Sequence, residues 1–147
     1  MATILEKPCD GAAAVARGVS RLFLRNQIMV QSEATLRNHR RADLMGINDK
    51  GEIIIVEIKC SRADLLGDQK WPEYLDYCDR FFWAVDADFP TGLLPEDTGL
   101  ILADAYGAEI LRMGAETPLA AARRKVLVQK FARHAALRLQ GLRDPMA

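Results

Sequence analysis

The chain has 147 residues, half of them hydrophobic, and its 20 basic side chains balance its 20 acidic ones. That is enough apolar material for one domain, residues 1–147, around a single core, and the neutral total argues against an indiscriminate polyanion binder. Apolar runs too short to cross a bilayer, an N-terminus (MATILEKPCD) without a signal-peptide core, and three cysteines without CxxC spacing argue against a membrane protein, a disulfide framework and a zinc site. A soluble, cytoplasmic protein is expected. The charge is nonetheless uneven: residues 1–60 carry 9 basic and 7 acidic side chains, 61–120 carry 4 and 12, and 121–147 carry 7 and 1. The basic tail permits a local phosphate-binding face, the plain alternative being a solvated helix surface.

In chain order, Asp10 suits the cap of a first helix in which Ala12, Val15, Val19, Leu22 and Phe23 follow three-and-four spacing, and Asn26 ends it. Residues 28–36 alternate, with Ile28, Val30, Ala34 and Leu36 on one side and Gln31, Glu33 and Thr35 on the other, which predicts a strand. If Arg37-Asn38-His39 turns that strand into the next, Glu33 comes opposite Asp43.

The next stretch, RRADLMGINDKGEIIIVEIKCS, organises the rest. Asp49-Lys50-Gly51 is turn chemistry, and Gly51 in the left-handed conformation closes a three-residue hairpin loop that sets Asn48 opposite Glu52. In that register Asp43 faces Glu57, and period-two alternation puts Asp43, Met45, Ile55, Glu57 and Lys59 on one face. Opposed Cβ atoms lie about 4.5 to 5.5 Å apart, a span that one hard divalent cation with oxygen ligands bridges. The strand Ile53 to Ile58 is apolar on both faces, so its charged end is partly desolvated, and two acids there repel unless they are neutralised. A structural ion-pair cluster is the rival reading of Asp43, Glu57 and Lys59.

Ser61 with Asp64 three residues on predicts a short capped helix that Gly67 closes, and Trp71-Pro72 a second start, with a helix over 72–79. Lys70 and Tyr74 sit four apart and could both lean toward the strand ends, although Pro72 interrupts a continuous helix through them. A strand over 81–85, a Pro- and Gly-bearing loop over 86–98, a hairpin of 100–103 and 108–111, and a long helix from Thr117-Pro118 to near Gly141 complete the chain. In that last helix Val126, Leu127, Phe131 and Ala135 are expected inward and Arg123, Lys130 and Arg133 outward. The order α-β-β-β-α-β, then β-β-α, predicts an α/β (α+β) mixed sheet with helices on both faces.

Asp43, thirteen residues, then Glu57-Ile58-Lys59 at a strand end resembles the PD-(D/E)XK nuclease signature. Ala42 stands where the name of that superfamily has proline. The wording RRADLMGIN, GEIIIVEIKCSRADLLGDQKWPEYLDYCDRFFWAV and GLILADAYGAEILR is similar to the MmcB family of bacterial DNA-repair proteins, over most of the chain. The resemblance implies a restriction-endonuclease-like core with αβββαβ order and a Mg²⁺-dependent phosphodiesterase acting on DNA, with Mn²⁺ as an alternative ion. Asp43, Glu57 and the Ile58 carbonyl would hold the ion, Lys59 would position or deprotonate the attacking water, and Glu33 would reach the ion through water. Lys70 and Tyr74 resemble helix residues that clamp a neighbouring phosphate, and Arg40 and Arg41 are further phosphate candidates. A repair endonuclease is the first expectation and a non-catalytic DNA-repair adaptor the second. A homodimer is compatible with a one-domain nuclease.

Overall fold

Residues Ile53–Ile58 form a strand in the interior of a six-stranded sheet, as a run that is apolar on both faces requires. The computed structural model describes residues 11–146. Its elements are α1 (Ala12–Arg25), β1 (Met29–Thr35), β2 (Arg41–Ile47), β3 (Ile53–Ile58), α2 (Arg62–Gly67), a 3-10 helix (Trp71–Tyr77), β4 (Arg80–Val85), a 3-10 turn (Thr91–Leu93), β5 (Gly99–Ala103), β6 (Ala108–Arg112) and α3 (Ala121–Arg143). Asp10, expected to cap the first helix, and Cys9 lie outside the described residues. The strands are ordered β1-β2-β3-β4-β5-β6, with β3, β4 and β5 mutually parallel and the other neighbours antiparallel.

This is the mixed α/β sheet that the pattern predicts, but not a bare αβββαβ order. A 3-10 helix stands between α2 and β4 where an α-helix over 72–79 is expected, and β5, β6 and α3 extend the fold. The reason is the aromatic spacing. Trp71, Tyr74 and Tyr77 recur every third residue, the period of a 3-10 helix, and all three pack against the same core. The Trp71 ring meets those of Phe81 and Trp83 on the sheet, its centroid 5.2 Å from that of Trp83, and the Tyr74 ring stacks on Phe81.

Two apolar layers flank the sheet. On one face Val15, Val19 and Phe23 of α1 pack with Leu44, Ile54, Val56 and Phe82. On the other, Leu65 of α2, Tyr74 and Leu127 of α3 cover Met45, Ile53, Ile55 and Trp83. Val126, expected inward, is 48% exposed, while Val128 and Phe131 lie against the core. Cys78 is a buried free thiol, whereas Cys60 is disulfide-bonded, against the expectation from the cysteine count and spacing that disulfides play no part.

The close approach of α1 to the sheet depends on Gly18. A Cβ there would fall against the backbone carbonyl oxygens of Asp104 and Gly107, which cannot swing aside as a side chain can. Alanine normally stabilises a helix interior by about 1 kcal/mol over glycine. Here Gly18→Ala is expected to reverse that sign and cost about 2 kcal/mol in a urea titration, because the helix must back away from the β5–β6 turn. A stabilised variant would show that α1 docks less tightly than this.

Candidate active site at the ends of strands β2 and β3

The turn between β2 and β3 sets the register of everything beyond it. Gly51 has φ +79°, and the Asn48 side chain accepts from the N–H groups of Lys50 (3.0 Å) and Glu52 (2.9 Å). Asn48 N–H donates to the Glu52 carbonyl, and the ladder then runs from Ile47 opposite Ile53 to Leu44 opposite Val56. One position further come Asp43 and Glu57, where side chains replace the backbone ladder. The Asp43 N–H donates to Glu57 Oε1 at 3.0 Å, and the Ile58 N–H donates to Asp43 Oδ2 at 2.8 Å. Each carboxyl group thus accepts an N–H from the opposite strand, and the two acids face each other as the turn chemistry predicts.

The setting of the two acids is hostile to their charge. Glu57 is 5% exposed, and burial first, then the neighbouring Asp43 carboxylate, push it up to about 9. Burial also raises Asp43, against the opposing pull of the Ile58 N–H, Glu57 and the Lys59 charge. Two crowded carboxyls that cannot both ionise share a proton at neutral pH, or give it up to a cation.

Lys59 is buried, and its ammonium lies 2.9 Å from Asp68 and 3.6 Å from Asp64, over the Trp83 ring at 5.9 Å. Burial lowers its pKa, but the Asp68 contact and the charges of Asp64, Asp68 and Glu57 outweigh that, so the net shift is upward. These acids hold Lys59 through α2, which Ser61 caps by accepting from the Asp64 N–H at 3.1 Å. Sequence reasoning treats Asp64 only as a capping residue and passes over Asp68. The available signal is two acids, five and nine residues after Lys59, one in the first turn of a short helix and the other just past its end.

The other candidates divide. Tyr74 is buried, and its hydroxyl donates to the Arg41 carbonyl at 3.0 Å, with burial, Glu57 and Asp43 raising its pKa. It therefore braces the end of β2. Arg40 forms an exposed ion pair with Glu73 at 2.7 Å, and Arg41 is exposed without an ion pair to a described residue. Lys70 is the exposed residue that precedes the 3-10 helix, whereas Tyr74 is buried within it.

Glu33 does not join the acid pair. The three-residue turn after Leu36 forms as expected, with the Leu36 N–H donating to the Arg40 carbonyl at 2.7 Å. The ladder nevertheless skips from Ser32 opposite Leu44 to Ala34 opposite Ala42. Glu33 has φ +54°, a left-handed conformation that breaks the alternation: Val30 packs on the α1 side, Ala34 and Leu36 on the other. Its side chain is exposed and makes no hydrogen bond to Asp43 or Glu57.

Among the described residues no group of three or more His, Cys, Asp and Glu side chains forms a metal-binding cluster. The oxygen donors that could meet at one ion are the Asp43 and Glu57 carboxylates and the backbone carbonyl of Ile58. No helix of the described residues is long and apolar enough to cross a membrane.

The chain is similar to SPO1766, a protein of unknown function from Silicibacter pomeroyi, at 52% identity and a TM-score of 0.88, over 95% of each chain. No curated protein matches. The family model of MmcB-like DNA repair proteins matches residues 3–146, almost the whole sequence, and the chain belongs to that family.

Proposed function

We propose that this protein acts in DNA repair as a divalent-metal-dependent endonuclease of the PD-(D/E)XK kind, hydrolysing phosphodiester bonds in damaged or branched DNA with Mg²⁺ or Mn²⁺. The observation that carries this reading is the acid pair, Glu57 buried and Asp43 half-buried, held face to face by the backbone N–H group that each accepts. Such a pair costs folding free energy, and a function that needs concentrated negative charge explains its presence. The donor set fits a hard ion: two carboxylates and the Ile58 carbonyl supply oxygen, and Mg²⁺ commonly binds one or two carboxylates with waters completing its shell. When bound, the ion would polarise the scissile phosphate and activate a water.

The chain's own groups define the rest. Asp43 and Glu57 are oriented by the backbone N–H groups they accept, so their free oxygens need little reorganisation. Lys59 is held as a cation, which supports charge compensation at the phosphate over removal of a proton from water. Tyr74 keeps its proton and positions the strand end. Glu33 supports no part of this reading as it stands, and neither Lys70 nor Arg40 contacts the acid pair.

One observation favours a second reading, a non-catalytic repair adaptor. The Lys59 ammonium is engaged by Asp68 at 2.9 Å and Asp64 at 3.6 Å, and would have to leave them to touch a phosphate. Incubation of labelled flapped, branched and nicked DNA with Mg²⁺ or Mn²⁺ separates the two. Cleavage is expected from the wild type and a loss of at least about 100-fold from Asp43→Ala and Lys59→Ala. Equal products from all three proteins would mark a contaminant, and binding without products would establish the adaptor.

A further inference from the structure

α3 carries seven basic side chains and no acidic one, and only Leu127 on it is buried. Arg124 and Arg123 serve the fold: Arg124 pairs with Asp79, and Arg123 lies over the Tyr77 ring and donates to the Asp76 carbonyl. Lys125, Lys130, Arg133, Arg138 and Arg143 form no ion pair with a described residue. Their position relates them to the acid pair. The Phe131 carbonyl accepts from Gln31 Nε2 at 2.8 Å, and Lys130 Nζ donates to the Thr35 carbonyl at 3.4 Å, so the middle of α3 lies along the edge strand β1.

Thr35 is the ladder partner of Arg41, which is two residues from Asp43. Lys130 therefore stands at the same strand end as the carboxyl pair, beside the exposed Arg41 and the exposed turn residue Arg37. Lys130, Arg133, His134, Ala136 and Leu137 line an open depression of about 510 Å³. Elsewhere the surface has the opposite sign: Asp86, Asp88, Asp104 and Glu109 surround a second depression beyond β4, β5 and β6. A neutral protein polarised in this way attracts a polyanion to one face and turns it from the other. A helix of this length spans about 35 Å, close to one turn of B-DNA.

We infer that the phosphate backbone of duplex DNA docks along Lys130 and Arg133 of α3 together with Arg41 and Arg37, and that this surface delivers the phosphodiester to Asp43 and Glu57. The delivery rests on the function proposed above; the docking surface does not. Lys130 and Arg133 are one helical turn apart, a spacing that lets both reach one strand of the duplex.

The test is fluorescence anisotropy of a labelled duplex of about three helical turns, in chelator, with salt varied between about 50 and 200 mM. Lys130→Gln with Arg133→Gln is expected to weaken binding at least tenfold at the low-salt end and to reduce the slope of log affinity against log salt by about 2. Lys130→Arg with Arg133→Lys, which keeps the charge, should bind as the wild type does, tying the loss to charge and not to damage of the fold. Wild-type affinity and slope in the neutralised variant would overturn the inference. So would a wild type that ignores DNA but binds phosphatidylserine vesicles or associates with itself through this face. Binding that needs Lys130 and Arg133, without cleavage when Mg²⁺ or Mn²⁺ is added, would keep the surface and reject the nuclease.

Discussion

Glu57→Gln is expected to make the protein more stable at pH 8 in metal-free buffer, by about 3 kcal/mol, while reducing DNA cleavage at least 100-fold. Burial and the Asp43 charge push Glu57 up to about 9 from its ordinary 4.5, so between those values the folded chain holds a proton that the unfolded chain has released. Stability is therefore full below the unfolded value, falls as pH rises through the window and levels off above the folded one, with a slope of up to about 1.4 kcal/mol per unit. A glutamine keeps the carbonyl that accepts the Asp43 N–H and presents an amide N–H where the proton was, so its stability should hardly vary over the same range. Urea titrations at pH 5 and pH 8 check this: the two proteins should converge at the lower pH and separate at the higher. A wild type with unchanged stability across that range would mean that the acids are better solvated than their burial indicates.

The same substitution tests the ion. A divalent cation competes with the shared proton, so Mn²⁺ should raise the melting temperature of the wild type more at pH 8 than at pH 6 and leave Glu57→Gln unmoved. If both proteins respond alike, the ion binds elsewhere. Greater stability with lost activity is the pattern of a site whose strain is tied to its use.

Asp79→Ala should produce the largest loss of stability in the molecule, about 3 to 5 kcal/mol. Asp79 is 1% exposed and accepts from Ile53 N–H at 2.7 Å, Leu119 N–H at 2.9 Å and both terminal nitrogens of Arg124 at 2.6 Å. Its backbone adds two bonds, donating to the Ile53 carbonyl and accepting from Thr117. The carboxylate thereby joins the start of β3 to the segment leading into α3. Removing it strands two N–H groups and leaves the partly buried Arg124 charge without its ion-pair partner, with only the Gly51 carbonyl to accept from it. The bonds to Arg124, Ile53 and Leu119 together outweigh burial and hold Asp79 below its ordinary value, so this contribution is present at neutral pH and fades as acid protonates it. Asp79→Asn keeps an acceptor for one N–H and should lose less. A loss under about 1 kcal/mol for Asp79→Ala in denaturant melts would mean that water replaces the bonds.

The acid pair was legible in the sequence because it depends on local chemistry alone. Asn48, Asp49 and Gly51 dictate the loop, the loop dictates the register, and a period of two carries that register out to Asp43 and Glu57. The apolar run over 53–58 likewise marks an interior strand, since four consecutive large apolar side chains need cover on both faces, and Ser61 with Asp64 marks the start of α2. Each of these signals acts within a few residues, where backbone geometry leaves little choice.

What the pattern could not carry are the contacts between parts distant in sequence. The alternation of residues 28–36 predicts Glu33 in the acid row, but the left-handed residue that flips the strand between its two covering layers makes sense only once α1 is on one face and α3 on the other. The partners of Lys59, the brace from Tyr74 to Arg41, and the link from Asp79 to Arg124 all join separate elements across intervening chain. Charge and polarity say that such groups need partners, since burying them alone is costly, but many acids satisfy that demand equally well in one dimension. The sequence alone determined which acids the hairpin must bring face to face; the packing of α2, α3 and the 3-10 helix decided which charges surround them, because long-range electrostatics and burial exist only in the assembled core.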